Sequence, residues 1–159
     1  MSDQTRRAFL KTSCCLGGVA SVAAMLPVDL RALPVHFTEG QPTMAPDERA
    51  FPIPAGDSVN IDRQISLILV RAQGKVYAFS LICPHERAAV KWVQGEARFM
   101  CTKHDSKYQP DGKYVAGRST RNMDRFPIRK DGGNVVVRLD AVFRSDLDAA
   151  GWGGAEVAV

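Results

Sequence analysis

The sequence predicts an antiparallel, all-β domain over residues 51–145, and three observations carry that prediction. From Phe51 onward the apolar residues fall in short runs of strand length, at Ser58–Ile61, Ile65–Arg71, Val76–Ile82, Arg98–Cys101 and Val135–Leu139. Turn signals stand between them: Gln73-Gly74, Pro110-Asp111-Gly112 and Asp131-Gly132-Gly133. No stretch after residue 50 keeps a helical period, and no internal repeat is present.

The elements follow in chain order. Residues 1–28 open with Thr5-Arg6-Arg7-Ala8-Phe9-Leu10-Lys11, and an uncharged stretch runs from Thr12 to Val28. A charged start before an apolar run is an export signal. The pair Arg6-Arg7 with Phe9, Leu10 and Lys11 resembles the twin-arginine signal, which sends folded, cofactor-loaded proteins across the bacterial inner membrane. Small residues at Ser21-Val22-Ala23 and Val22-Ala23-Ala24 suit cleavage after Ala23 or Ala24, which would leave the protein soluble in the periplasm. The alternative is retention of residues 8–28 as a membrane anchor, where Gly17 and Ser21, and Ala20 and Ala24, would pack closely against partner helices. Cys14 and Cys15 read as small membrane residues.

Residues 29–50, with Pro34, Pro42 and Pro46 and no apolar period, form a linker or hinge. The hairpin from Ile65 to Ile82 is aimed at Cys83, and Arg98–Cys101 delivers the second cysteine of the domain. Pro110-Asp111-Gly112 turns the chain before Lys113–Val115. Arg125–Arg129 and Val135–Leu139 make one more hairpin. Residues 146–159, with Gly151-Trp152-Gly153-Gly154, read as a loose tail, or one ordered only on a partner.

The length of 159 residues allows one ordinary domain and excludes a multidomain enzyme. An apolar fraction of 45% excludes a disordered chain. The net charge of +4 is unevenly placed: Cys83 to Lys130 holds eleven basic and five acidic residues, so that stretch carries +6 and the rest −2. A basic stretch of this kind steers an acidic partner surface or haem propionates. Nucleic acid is excluded as a partner by the expected export and by the lack of a binding module.

Chemistry concentrates in two units, Cys83-Pro84-His85 and Cys101-Thr102-Lys103-His104, separated by 15 residues. Each follows a predicted strand, where a sheet holds a loop rigidly. Two thiolates and two imidazoles bind one zinc tetrahedrally, or hold a two-iron cluster with the cysteines on one iron and the histidines on the other. Common zinc patterns group cysteines with cysteines and histidines with histidines, whereas here each loop supplies one of each. His36 reads as a solvated linker residue, and Trp92 as a packing residue under the first loop.

The pattern C-x-H followed by C-x-x-H resembles the Rieske iron–sulfur family over about residues 55–140. The resemblance implies a Rieske-type antiparallel β-sandwich with a small cluster-binding subdomain, preceded by one N-terminal helix. It also implies a [2Fe–2S] cluster with Cys83 and Cys101 on the inner iron and His85 and His104 on the outer. Ser106 and Tyr108 sit where respiratory members place a serine hydrogen-bonded to a bridging sulfide and a tyrosine hydrogen-bonded to a ligand cysteine. Such hydroxyl donors raise the reduction potential. The chain departs from the family at three places. Ala88 and Lys103 stand where a bracing disulfide is usual, and Asp105 replaces a glycine, bringing a carboxylate expected to lower the potential and raise the histidine pKa values. The covering loop from Gly117 to Met123 holds no proline.

The function these features imply is one-electron transfer by the periplasmic-side subunit of an inner-membrane oxidoreductase, not a complete enzyme. The subunit would receive electrons from quinol bound in a cytochrome b-like partner and pass them to a c-type cytochrome, with His85 or His104 taking the substrate proton. Two other readings stand beside it: the relay subunit of a periplasmic molybdenum oxidoreductase of the arsenite oxidase kind, and a zinc-stabilised interaction module. A soluble ferredoxin of ring-hydroxylating systems does not fit the export signal.

Overall fold

The runs Leu67–Val70 and Val76–Phe79 are buried on every residue, and the reason is that they lie between two layers. A computed structural model describes residues 44–159. The expected export signal, the N-terminal helix, His36 and most of the linker lie outside the described residues. Eleven strands are described: β1 (Glu48–Pro52), β2 (Ser58–Asp62), β3 (Leu67–Ala72), β4 (Lys75–Ser80), β5 (Val90–Val93), β6 (Arg98–Cys101), β7 (Lys107–Tyr108), β8 (Tyr114–Ala116), β9 (Ile128–Asp131), β10 (Asn134–Arg138) and β11 (Val157–Ala158). They form three antiparallel sheets in the orders β1-β10-β9, β11-β4-β3-β2 and β5-β6-β7-β8.

Side chains alternate across a strand, and β3 and β4 use both faces. Leu67, Leu69, Val76 and Ala78 pack with Val135, Val137, Phe126 and Val157 on one side. Ile68, Val70, Tyr77 and Phe79 pack with Phe99, Tyr108, Met123, Cys83 and Cys101 on the other. The second group roots the ligand loops in a core. The hairpin between β3 and β4 turns through Gln73 (φ 53°) and Gly74 (φ 73°), the left-handed pair that a two-residue turn needs.

The predicted antiparallel, all-β fold is the one observed. Strand ends move by one to three residues, and β1 begins inside the expected linker because Glu48–Pro52 pairs in register with Asn134–Arg138. The single α-helix among the described residues is α1 (Ala149–Gly154), and no described helix is long and apolar enough to cross a membrane.

The last fourteen residues correct the expectation of a loose tail. α1 forms despite three glycines because the Asp148 side chain caps it, accepting from the Gly151 amide at 2.8 Å. Trp152 is buried, and Val157 pairs with Val76 at the edge of the central sheet. Arg125, 2% exposed, ties the segment down. Its guanidinium donates to the Trp152 carbonyl at 2.8 Å and to the Asp111 carbonyl at 2.7 Å. It also lies over the rings of Trp152 and Tyr77 at 3.8 and 4.7 Å, with the Glu156 carboxylate 3.8 Å away. An ammonium cannot reproduce that planar fork. Arg125→Lys is therefore predicted to cost about 1–3 kcal/mol by leaving a buried carbonyl without its donor. The measurement is the urea unfolding midpoint, and an unchanged midpoint would refute the anchoring role.

Candidate metal centre

The first ligand loop leaves β4 at Leu81 and returns at Val90. Its closure is local: the Cys83 amide donates to the Ala88 carbonyl at 2.8 Å, and the Val90 amide to the Leu81 carbonyl at 2.8 Å. The second loop leaves β6 at Cys101, whose amide donates to the Ser106 carbonyl at 2.8 Å. Antiparallel pairing sets Val90 opposite Cys101, so the two loops emerge side by side from one end of the β5-β6 pair. Thr102 then joins them, its amide and its hydroxyl both donating to the Ala89 carbonyl at 3.0 and 2.9 Å. Closing the second loop takes Asp105 to φ 53°, the conformation for which glycine is usual and which Asp tolerates better than most residues.

Burial separates the four predicted ligands by chemistry. Cys83 and Cys101 are 3% and 1% exposed, both thiols are free, and both belong to the core beneath the loops. His85 is exposed, and the His104 side chain is 19% exposed. The two imidazoles meet edge to face with centroids 5.0 Å apart. The donor atoms of His85, Glu86 and His104 lie within 4.8 Å of one another, and neither cysteine sulfur joins that group. Two imidazoles grouped at the surface above two buried thiols suit a two-iron cluster held by the histidines on one iron and the cysteines on the other. The Nδ1 atom of His104 is buried and has no hydrogen-bond partner. A buried nitrogen in that condition is costly unless something binds it, and a metal does so.

Ser106 and Tyr108 are both fully buried under the loops. The Tyr108 hydroxyl lies 3.4 Å from the Cys83 sulfur. Burial, and after it the neighbouring thiol, push the phenol well above its ordinary pKa, so it keeps its proton and is a donor towards a thiolate. Ser106 Oγ accepts the Ser119 amide at 3.0 Å. That bond occupies a lone pair and leaves the hydroxyl hydrogen free to point elsewhere.

Four features of the site do not appear in the motif. Glu86, not Asp105, is the carboxylate beside the histidines, 3.6 Å from His104 Nδ1 and 3.5 Å from Lys103 Nζ. Asp105 is exposed and forms no ion pair among the described residues. Ser119 reaches Ser106 from the covering loop. That loop, lacking proline, is held by the Tyr114 hydroxyl on the Gly117 carbonyl at 2.7 Å and the Tyr114 amide on Asn122 Oδ1 at 2.9 Å. Gly117, at φ 106°, brings its backbone onto the second ligand loop, where an added Cβ would fall 2.5 Å from Ser106 Cα. Trp92 packs on Phe99 with centroids 4.8 Å apart, a packing residue as expected.

A family model described as Rieske [2Fe-2S] domain matches residues 44–127. The cytochrome b6-f complex iron–sulfur subunit of Chlorobaculum thiosulfatiphilum is 25% identical over 144 residues, which are 85% of this chain and 76% of that protein. The subunit of the same description from Chlorobaculum tepidum is 28% identical over 144 residues, 86% of this chain and 77% of that protein. A crystal structure of the plasma membrane Rieske protein of Synechocystis PCC 6803 is 21% identical and covers 52% of this chain and 86% of its own, at a TM-score of 0.43. The family model and the Chlorobaculum relatives lend no support to a molybdenum-enzyme relay of the arsenite oxidase kind.

Gly117→Ala is predicted to destabilise the chain by about 2–4 kcal/mol, combining left-handed strain with a backbone clash, and to lower iron incorporation. Gly132→Ala, at φ 56° with no atom within 4 Å of the added carbon, is the control and should cost about 1 kcal/mol. Equal unfolding midpoints for the two variants would refute the contact.

Proposed function

The chain belongs to the Rieske [2Fe-2S] family, and on that premise we propose that it is the electron-transfer subunit of a quinol–cytochrome oxidoreductase. In this reading it serves a quinol-linked donor in a cytochrome b-like partner and a c-type cytochrome as acceptor. The observation that carries the reading is the division of the site into two buried thiols and two imidazoles at the surface. The relatives, subunits of cytochrome b6-f complexes, support it further.

Cys83 and Cys101 would hold one iron, and His85 and His104 the other, with the unpartnered Nδ1 of His104 as one donor. The bound cluster supplies a one-electron carrier. This chain's own residues set the conditions. The buried Tyr108 and Ser106 hydroxyls are donors beneath the site and favour the more negative, reduced state. His85, the more exposed imidazole, is the group placed to meet a quinol hydroxyl and hold its proton, with His104 behind it. Arg87 beside His85 and Arg118 on the covering loop are exposed and form no ion pair among the described residues, so they are free to meet an acidic partner face. Export by the twin-arginine route, with residues 8–28 kept as an anchor at the periplasmic face, completes the proposal.

Low-temperature electron paramagnetic resonance with a redox titration, run separately on membranes and on soluble periplasm, tests it. A reduced-state signal in membranes at a clearly positive potential is the expected result, and the same signal confined to the soluble fraction would sink the anchored-subunit reading. Ser106→Ala and Tyr108→Phe should each lower the potential while iron content stays the same; unchanged potentials would overturn their roles. Arg87→Gln with Arg118→Gln should slow electron transfer to an acidic c-type cytochrome at low ionic strength and lose that effect as salt screens the charges. A slowing that persists at high salt would contradict electrostatic docking.

A further inference from the structure

The segment Arg144–Val157 lies beyond the residues that the family model matches, and three of its contacts fall on the covering loop of the metal centre. The Trp152 indole N–H donates to the Met123 carbonyl at 2.7 Å. The Asn122 amide donates to Ser145 Oγ at 3.2 Å. Arg121, paired with Asp124, also has its Nε 3.7 Å from Asp146. Consecutive residues 121, 122 and 123 are therefore each held by the C-terminal segment. Arg121 in turn holds Ser119, whose hydroxyl donates to the Arg121 carbonyl at 3.0 Å. Ser119 is the residue whose amide donates to Ser106 Oγ.

We infer that the C-terminal segment is a positioning element for the Ser106 hydroxyl, with Trp152 and Ser145 acting through the covering loop and Ser119. The physical reason lies in what a hydroxyl can do. A serine rotor has one hydrogen to give and two lone pairs to fill, and in a buried site its direction is set by whichever neighbour donates to it. With the Ser119 amide on one lone pair, the Ser106 hydrogen is left to the remaining neighbours of Oγ, which are the Tyr108 hydroxyl and the site that the ligand loops present. If residues 121–123 lose their hold, the amide drifts, the rotor is freed, and the hydroxyl gives less to whatever sits there. Trp152 is fixed for this task from below, since its ring is covered by the Arg125 guanidinium and its carbonyl is bonded to it. The inference rests on the reading of the site as a cluster site, because only there does the direction of the Ser106 hydrogen set a potential.

The test is a double-mutant cycle on the full-length, cluster-loaded protein. Trp152→Phe deletes the indole donor and keeps an aromatic ring over Arg125, and Ser145→Ala deletes the acceptor for the Asn122 amide. With two irons per chain and an unchanged absorption spectrum, each should lower the reduction potential in the wild-type background. In the Ser106→Ala background each should leave the potential where Ser106→Ala alone puts it, because the group they act through is gone. Two results would overturn the inference: potentials unmoved by both substitutions in the wild-type background, or shifts of equal size with and without Ser106. Hydrogen exchange of the peptide spanning residues 117–123, read by mass spectrometry, gives a second measure that needs no iron. Exchange there should be about five- to tenfold faster in Trp152→Phe, the loss of one hydrogen bond. Unchanged exchange would overturn the coupling even if the protein bound no cluster, whereas faster exchange in a protein without iron would support it and refute the cluster reading alone.

Discussion

Two hydrogen bonds from Thr102 to one carbonyl, that of Ala89, cross between the ligand loops and hold them side by side, and the arrangement of the site rests on that constraint together with the strand register beneath it. The loops leave neighbouring strands whose register already puts Val90 opposite Cys101. Antiparallel pairing fixes where the loops start, and Thr102 fixes how far apart they stay. The bonds share an acceptor near the protein surface, so each is worth about 1 kcal/mol. They suffice because the cores beneath are well filled: Phe99, Tyr108 and Met123 are each fully buried under the same loops. The Glu86–Lys103 pair also crosses between the loops, but both partners are about half exposed or more, so it contributes little.

A consequence is that the two loops are joined without a covalent link among the described residues, since Cys83 and Cys101 are both free and both face the core. Where a disulfide would sit, Ala88 accepts the Cys83 amide and Lys103 reaches Glu86. Packing and backbone bonds are indifferent to thiol reductants. The same architecture sorts the donors by depth. Thiols at the inner end are buried, with the Tyr108 hydroxyl 3.4 Å from the Cys83 sulfur, and the imidazoles at the outer end keep some exposure to solvent.

Much of this is legible in the sequence. A short Cys-x-His loop and a short Cys-x-x-His loop, each following a β run, point to four candidate donors, and the structure sets Ser106 and Tyr108 beneath the same loops. Alternation and turn signals gave the antiparallel strands. What escaped were features that depend on distance in space. Ser119 meets Ser106 across 13 residues, and Gly117 touches the second loop only because the chain doubles back. The C-terminal segment looked loose because Gly-Trp-Gly-Gly is a poor helix former. Its order comes from outside, from Arg125, 27 residues earlier, which no local pattern announces. Asp105 adjoins His104 in sequence, whereas Glu86 comes to His104 through the fold.

The central claim is that the two imidazoles share one metal atom and the two thiolates another. The most direct measurement is electron paramagnetic resonance of the reduced protein grown with ¹⁵N-labelled histidine, with iron and acid-labile sulfide counted on the same sample. The account predicts hyperfine coupling to two histidine nitrogens, lost from one of them in His85→Ser and in His104→Ser, with two irons and two sulfides per chain. A signal without nitrogen coupling, or an EPR-silent protein carrying one zinc per chain, would contradict it.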